Sequence, residues 1–141
     1  ARRSALAAAR LLLVRVADGG TVDDDAAAEL AVALHDVHVR DEVATWGTSS
    51  ADALLSLSEQ VARRTPAPHD APVCTLLAWT AYAKGDGGRA NVALDRALAT
   101  DPAYSLALLL RQALDSGMSP EQVRRTMSAT RRAIRSGRSR R

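Results

Sequence analysis

The sequence predicts an all-α protein of about seven to eight helices arranged as antiparallel hairpins, and three observations lead there. Ala and Leu, among the strongest helix formers, recur throughout, while Phe is absent and only two Trp and two Tyr occur. Apolar residues return at three- and four-residue spacing in one segment after another. No run alternates β-branched or aromatic residues with polar ones, as a half-buried strand would. At 141 residues, 47% hydrophobic and 25% charged, the chain suits one compact domain whose buried contacts are mostly small.

The elements follow in order. Leu6, Ala9, Leu13 and Val16 fall on one helical face, and Gly19-Gly20 stops that helix, because two successive glycines make continuation costly. Thr21 is the expected cap of the next helix, with Asp23, Asp24 and Asp25 crowding its first turn beside unpaired N–H groups. Successive acids radiate from a helix in different directions, so this cluster reads as capping and not as a metal site. Leu30 and Leu34 continue one stripe, but Val39, Val43 and Trp46 start another out of phase with it, which places a break near Asp36. Gly47 ends that piece. Residues 48–52, rich in Ser, Thr and Asp, give a capped start to a helix bearing Leu54, Leu57 and Val61 and ending by Thr65.

Pro66, Pro68 and Pro72 then mark the best boundary in the chain, since each removes a backbone donor and disfavours helix just before it. The division is an N-terminal helical part, 1–65, a second helical part, 66–134, packed on it as one domain, and a flexible basic tail, 135–141. Val73 to Ala83 is apolar nearly all round, as a central helix covered on several sides must be. Gly85 to Gly88 reads as a turn. Ala90, Ala93, Leu94, Ala97 and Leu98 make an amphipathic helix that stops before Asp101-Pro102. Leu106, Leu109, Leu110, Ala113 and Leu114 are the expected buried face of the next, closed by Gly117. Ser119-Pro120-Glu121-Gln122 combines an N-cap, a first-turn proline and a Gln three residues on, the strongest helix start present; Val123, Met127 and Ile134 carry that helix to about Ile134.

From Val73 to Pro102 the spacing resembles a tetratricopeptide repeat. Leu77, Ala78, Gly85, Ala90, Leu94, Ala97 and Pro102 stand where that helix-turn-helix unit has its Leu, small residue, turn Gly, Ala, large apolar residue, Ala and Pro. Cys74 and Ala81 depart from the pattern, where aromatics are usual, and no second copy flanks it. The string LLAWTAYAKGDGGRANVALDRALATDPAYSLALLL, about a quarter of the chain, resembles the C-terminal part of an actinobacterial family known as domain of unknown function 4192. That resemblance implies a helical architecture, a longer parent protein and a cytoplasmic setting, and it carries no activity or site residues; the expectation of a tetratricopeptide-like right-handed array comes from the hairpin spacing. Eighteen Arg against one Lys suits a high-GC genome, and an opening at Ala1 inside a helical pattern fits a piece of something longer.

Several constellations bear on chemistry. His35, His38 and Glu42 would share one side of a continuous helix and are the metal candidates, with Asp41 a further ligand; a break near Asp36 favours a solvated polar face instead. His69 and Asp70 precede Cys74, but a Cys heading an apolar helix reads as a buried structural thiol. Gly85 to Gly88 follows no strand and is not a phosphate cradle. Trp46, Trp79 and Tyr82 at helical spacing read as core. No cofactor is implied. Leu11 to Val14 is far too short to span a bilayer, so no membrane segment is expected, and a lone cysteine points to a reducing compartment, hence the cytoplasm.

Charge is asymmetric. Residues 121–141 hold eight arginines, Arg124, Arg125, Arg131, Arg132, Arg135, Arg138, Arg140 and Arg141, against one Glu, a net +7, whereas residues 1–120 are net −4. Such a tail is suited to nucleic acid or an acidic protein surface. The leading function is a helical protein-interaction or scaffold module of a larger protein, with a protein partner in its groove. In that reading residues of the hairpin's first helix such as Thr75 and Lys84 are exposed and contact the partner. The alternative is nucleic-acid association through the C-terminal arginines. An enzyme is least supported, because no nucleophile–base pair, paired carboxylates or cofactor loop emerges.

Overall fold

A computed structural model describes residues 1–126, all of whose regular structure is helical. The elements are α1 (Arg2–Ala17), α2 (Asp24–Ala33), α3 (Val37–Thr45), a 3-10 turn (Trp46–Thr48), α4 (Ala51–Arg63), α5 (Ala71–Ala83), α6 (Gly87–Thr100) and α7 (Ser105–Asp115). A further helical segment runs from residue 120 to 126. Among the described residues no helix is long and apolar enough to cross a membrane.

Local chemistry sets most boundaries. Gly19 adopts φ +89°, a left-handed stop. At Gly20 a Cβ would lie 2.7 Å from Arg15 Cγ and 2.8 Å from its carbonyl oxygen, so the turn admits no larger residue without movement. Asp23, not the expected Thr21, caps α2: its carboxylate accepts from Ala26 N at 2.8 Å, leaving Asp24 and Asp25 in the first turn. The predicted break falls at Asp36, whose carboxylate caps α3 through His38 N at 2.9 Å. Gly47 lies within the 3-10 turn, and Ser50 precedes α4 without a side-chain cap bond. Helix α5 starts two residues earlier than expected, with Pro72 in its first turn, where a missing N–H costs nothing. Gly87 and Gly88 belong to α6 and not to a turn, because Asp86 caps that helix by accepting from Arg89 N at 3.0 Å. Ser119 and Gln122 form the anticipated reciprocal box: Ser119 Oγ accepts from Gln122 N and Gln122 Oε1 from Ser119 N.

Residues on both sides of the proline-rich stretch feed one hydrophobic core, and α5 is its axis. Eleven of its thirteen residues are buried, since α3, α4, α6 and α7 all pack against it. Ala90, Leu94 and Ala97 are fully buried at the α5–α6 contact, where the small residues allow close approach; Leu77 is only half-buried. Helix α7 is rotated from the expected register. It buries Ala107, Leu110 and Ala113, half-buries Leu106 and Leu114, and leaves Leu109 and Leu108 exposed.

Most buried polar groups are closed locally or paired; among the described residues Trp46 Nε1 and Arg111 Nε are buried without a hydrogen-bond partner. The hydroxyls of Ser58, Thr65, Thr75 and Thr80 each donate to the carbonyl four residues back, at 2.6–2.8 Å. Thr75 is therefore fully buried, contrary to the expectation that it faces a partner; Lys84 is exposed and pairs with Asp52. The buried Asp70 carboxylate accepts from Arg96 Nε and from Thr100 Oγ1, both at 2.8 Å, while Arg96 Nη2 donates to Thr65 O at 2.7 Å. This clamp ties the loop before α5 to α6. Arg40 donates to Tyr104 Oη and to Asp41. Burial works against the Arg40 charge, but Tyr104 and Asp41 more than offset it and hold its pKa above the ordinary arginine value.

Candidate functional site

The three metal candidates do not converge. His35 sits in the turn between α2 and α3, where its Nε2 lies 3.3 Å from the His69 carbonyl and its ring meets the His69 ring edge-on at 6.3 Å. His38 and Glu42 lie on α3, so the turn at Asp36 rotates His35 out of their register. Among the described residues no group of three or more His, Cys, Asp or Glu could hold a metal ion. Cys74 is buried, and burial pushes its thiol up to about 11, with Arg96 pulling it down and Asp70 pushing it further up. A thiol so held is not a nucleophile near neutrality. Of the eight arginines, Arg131, Arg132, Arg135, Arg138, Arg140 and Arg141 lie outside the described residues. Arg125 pairs with Glu121 at 3.6 Å, and the Arg124 guanidinium stands over the Trp79 ring, 5.4 Å from its centroid.

Besides a recess of about 220 Å³ between α7 and residues 118–126, lined by Leu109, Ala113, Met118 and Val123, two surface recesses bear on function. One, of about 150 Å³, lies where the end of α3, the 3-10 turn and α5 meet, with Trp79, Thr80, Thr45 and Asp41 in its walls and Arg124 at its edge. It is half the size of the smallest usual small-molecule site, about 300 Å³. The other, of about 240 Å³, is a groove between α1 and α2. The helices are antiparallel there, since Arg2 Nε pairs with Asp36 Oδ2 at 2.7 Å and so sets the start of α1 beside the end of α2. Ala5, Ala8 and Leu12 of α1 and Ala26, Leu30 and Ala33 of α2 line it, with Leu11 and Glu29 at the rims. Leu11 is 72% exposed, and Val32 on the outer face of α2 is 69% exposed.

A family model, the domain of unknown function (DUF4192), matches residues 1–121. The chain belongs to this family. No curated protein and no solved structure matches it. The match runs well beyond the 35-residue string read above and takes in every helix from α1 to α7. In this DUF4192 chain the sequence reading missed the α1–α2 groove. Its one signal was the run Leu11 to Val14, four consecutive apolar residues on a helix, which cannot all face inward.

Proposed function

We propose that this chain is a helical protein-interaction or scaffold module of a larger protein. The α1–α2 groove carries the reading: small residues make most of its floor, and the exposed Leu11 and Glu29 stand at its rims, the arrangement into which an amphipathic helix docks. The α5–α6 pair supports a tetratricopeptide-like array, because Ala90 and Ala97 stand at its close contact as that repeat places them. An actinobacterial origin goes with the arginine-dominated composition, and a cytoplasmic setting with the single buried cysteine. The test replaces Leu11 with a photo-crosslinking residue in cells producing the protein, with Ala99 on α6 as the control position. Protein adducts concentrated at position 11 are expected. Equal labelling at both positions would remove the groove from consideration.

A second reading, nucleic-acid association, is favoured by the net +7 of residues 121–141. Titration with single-stranded and duplex oligonucleotides at low and physiological salt tests it, since each neutralised phosphate releases counterions and steepens the salt dependence. No binding at low salt would eliminate it.

A further inference from the structure

We propose that the occupant of the α1–α2 groove is a second copy of this chain, so that two copies join face to face through α1 and α2; this rests on the interaction-module reading. Helix α1 carries Arg2, Arg3, Arg10 and Arg15 and no acid, whereas α2 carries Asp24, Asp25 and Glu29 and no base. Helical spacing sets Arg15 on the same flank as Ala8 and Leu11, and Asp25 on the same flank as Glu29 and Val32. Arg15 thus stands beside the α1 wall and Asp25 and Glu29 along the α2 wall, while Arg10 faces the other way, its guanidinium 4.3 Å from the Trp46 ring centroid, and Arg2 pairs with Asp36. Arg15, Asp25 and Glu29 make no ion pair with another described residue.

A two-fold contact uses one patch twice, so the patch must complement itself. This one does: turning a copy over on the groove sets apolar strip against apolar strip and Arg15 of one copy against acidic α2 of the other, with every charge contact made twice. A patch of uniform sign would repel its own copy. The exposed Leu11 supplies what the groove lacks. Its floor is largely alanine, and the leucine of the other copy is the side chain that fills it.

Sedimentation equilibrium of the 141-residue chain decides the matter. The expected result is a two-chain mass at low salt and tens of micromolar protein, moving toward one chain as salt rises, because rim charges are screened. Leu11→Glu should give a one-chain mass with unchanged helicity, since that side chain is exposed in the single copy. Arg15→Glu and Asp25→Arg should each weaken association by about tenfold or more, and combining them should restore it, because the antiparallel register sets Arg15 of one copy over the start of α2 in the other. A one-chain mass up to about millimolar concentration, or a dimer indifferent to Leu11→Glu, overturns the proposal. If the chain sediments singly while position 11 still crosslinks to another protein, self-association fails and the module reading stands; if crosslinks are also absent, both fail.

Discussion

Replacing Asp70 or Arg96 tests whether one buried carboxylate holds the loop before α5 onto α6. The Asp70 side chain is only 3% exposed and accepts two hydrogen bonds at 2.8 Å, one from the 41%-exposed Arg96 and one from Thr100. Hydrogen bonds to charged groups contribute about 1.5–3 kcal/mol each, and Asp70→Ala removes both. The exposed Arg96 regains water when its partner goes, so the net cost should be about 2–3 kcal/mol. Arg96→Ala is the harsher change, because it strands a buried charge with only Thr100 for company and also frees Thr65 O; about 3–5 kcal/mol is expected. The double variant should cost less than the sum of the singles by about 1.5–3 kcal/mol. Urea unfolding followed by tryptophan fluorescence measures all three, as Trp46 and Trp79 are both 7% exposed and report loss of the core. Singles below about 0.5 kcal/mol, or strict additivity, would show that the clamp contributes nothing beyond its surroundings.

Enlarging Ala90 to Leu should destabilise by about 1–3 kcal/mol through overpacking at the α5–α6 contact, lowering the melting temperature; an unchanged value would mean that the contact has slack. Cys74 should resist thiol reagents at pH 8 until the protein unfolds. Because burial raises its folded pKa to about 11 from an ordinary 9.0, its contribution to stability is fully present below 9.0 and is lost as pH rises through 11. A Cys74→Ala variant should therefore lose less stability over that window in alkaline denaturation curves. Elemental analysis of purified protein should find no stoichiometric zinc, and chelator should leave the melting temperature unmoved, since His35 lies off the register of His38 and Glu42.

Helix existence was legible wherever the signal was local. The Gly19-Gly20 stop, the break at Asp36 and the Ser119–Gln122 box all depend on residues within one turn of each other, and an apolar surface all round identified α5 as central. Register was less legible. Leu106, Leu108, Leu109, Leu110 and Leu114 satisfy two competing stripes on α7, and packing against α5 and α6 selected the one centred on Ala107 and Leu110. Propensity placed Gly87 and Gly88 in a turn, but the Asp86 cap and the pairing of α6 with α5 outweigh two glycines. Thr75 looked like a surface residue because its hydroxyl partner, the Ala71 carbonyl, belongs to the helix itself. The Asp70–Arg96 clamp spans 26 residues and the α1–α2 groove joins two helices, so neither leaves a mark in any short window of sequence.

The back-bonded hydroxyls of α4 and α5 have a further effect on how this fold can vary. Ser58, Thr75 and Thr80 each satisfy their donor on their own helix, and Thr65, just past the end of α4, does so on the last turn of that helix, so none asks anything of the helix beside it. To its neighbours α5 is read mostly by contour; its directional side-chain contacts are few, Asp70 with Arg96 at its start and Tyr82 Oη, which donates to Met118 O, near its end. Apart from the segment at Met118 that accepts from Tyr82 Oη, helices around such an axle can slide, shorten or be exchanged across the family without orphaning these hydroxyl donors, provided the volume at the contact is kept. Divergence should therefore collect in the surrounding shell while α5 keeps its length and its small residues.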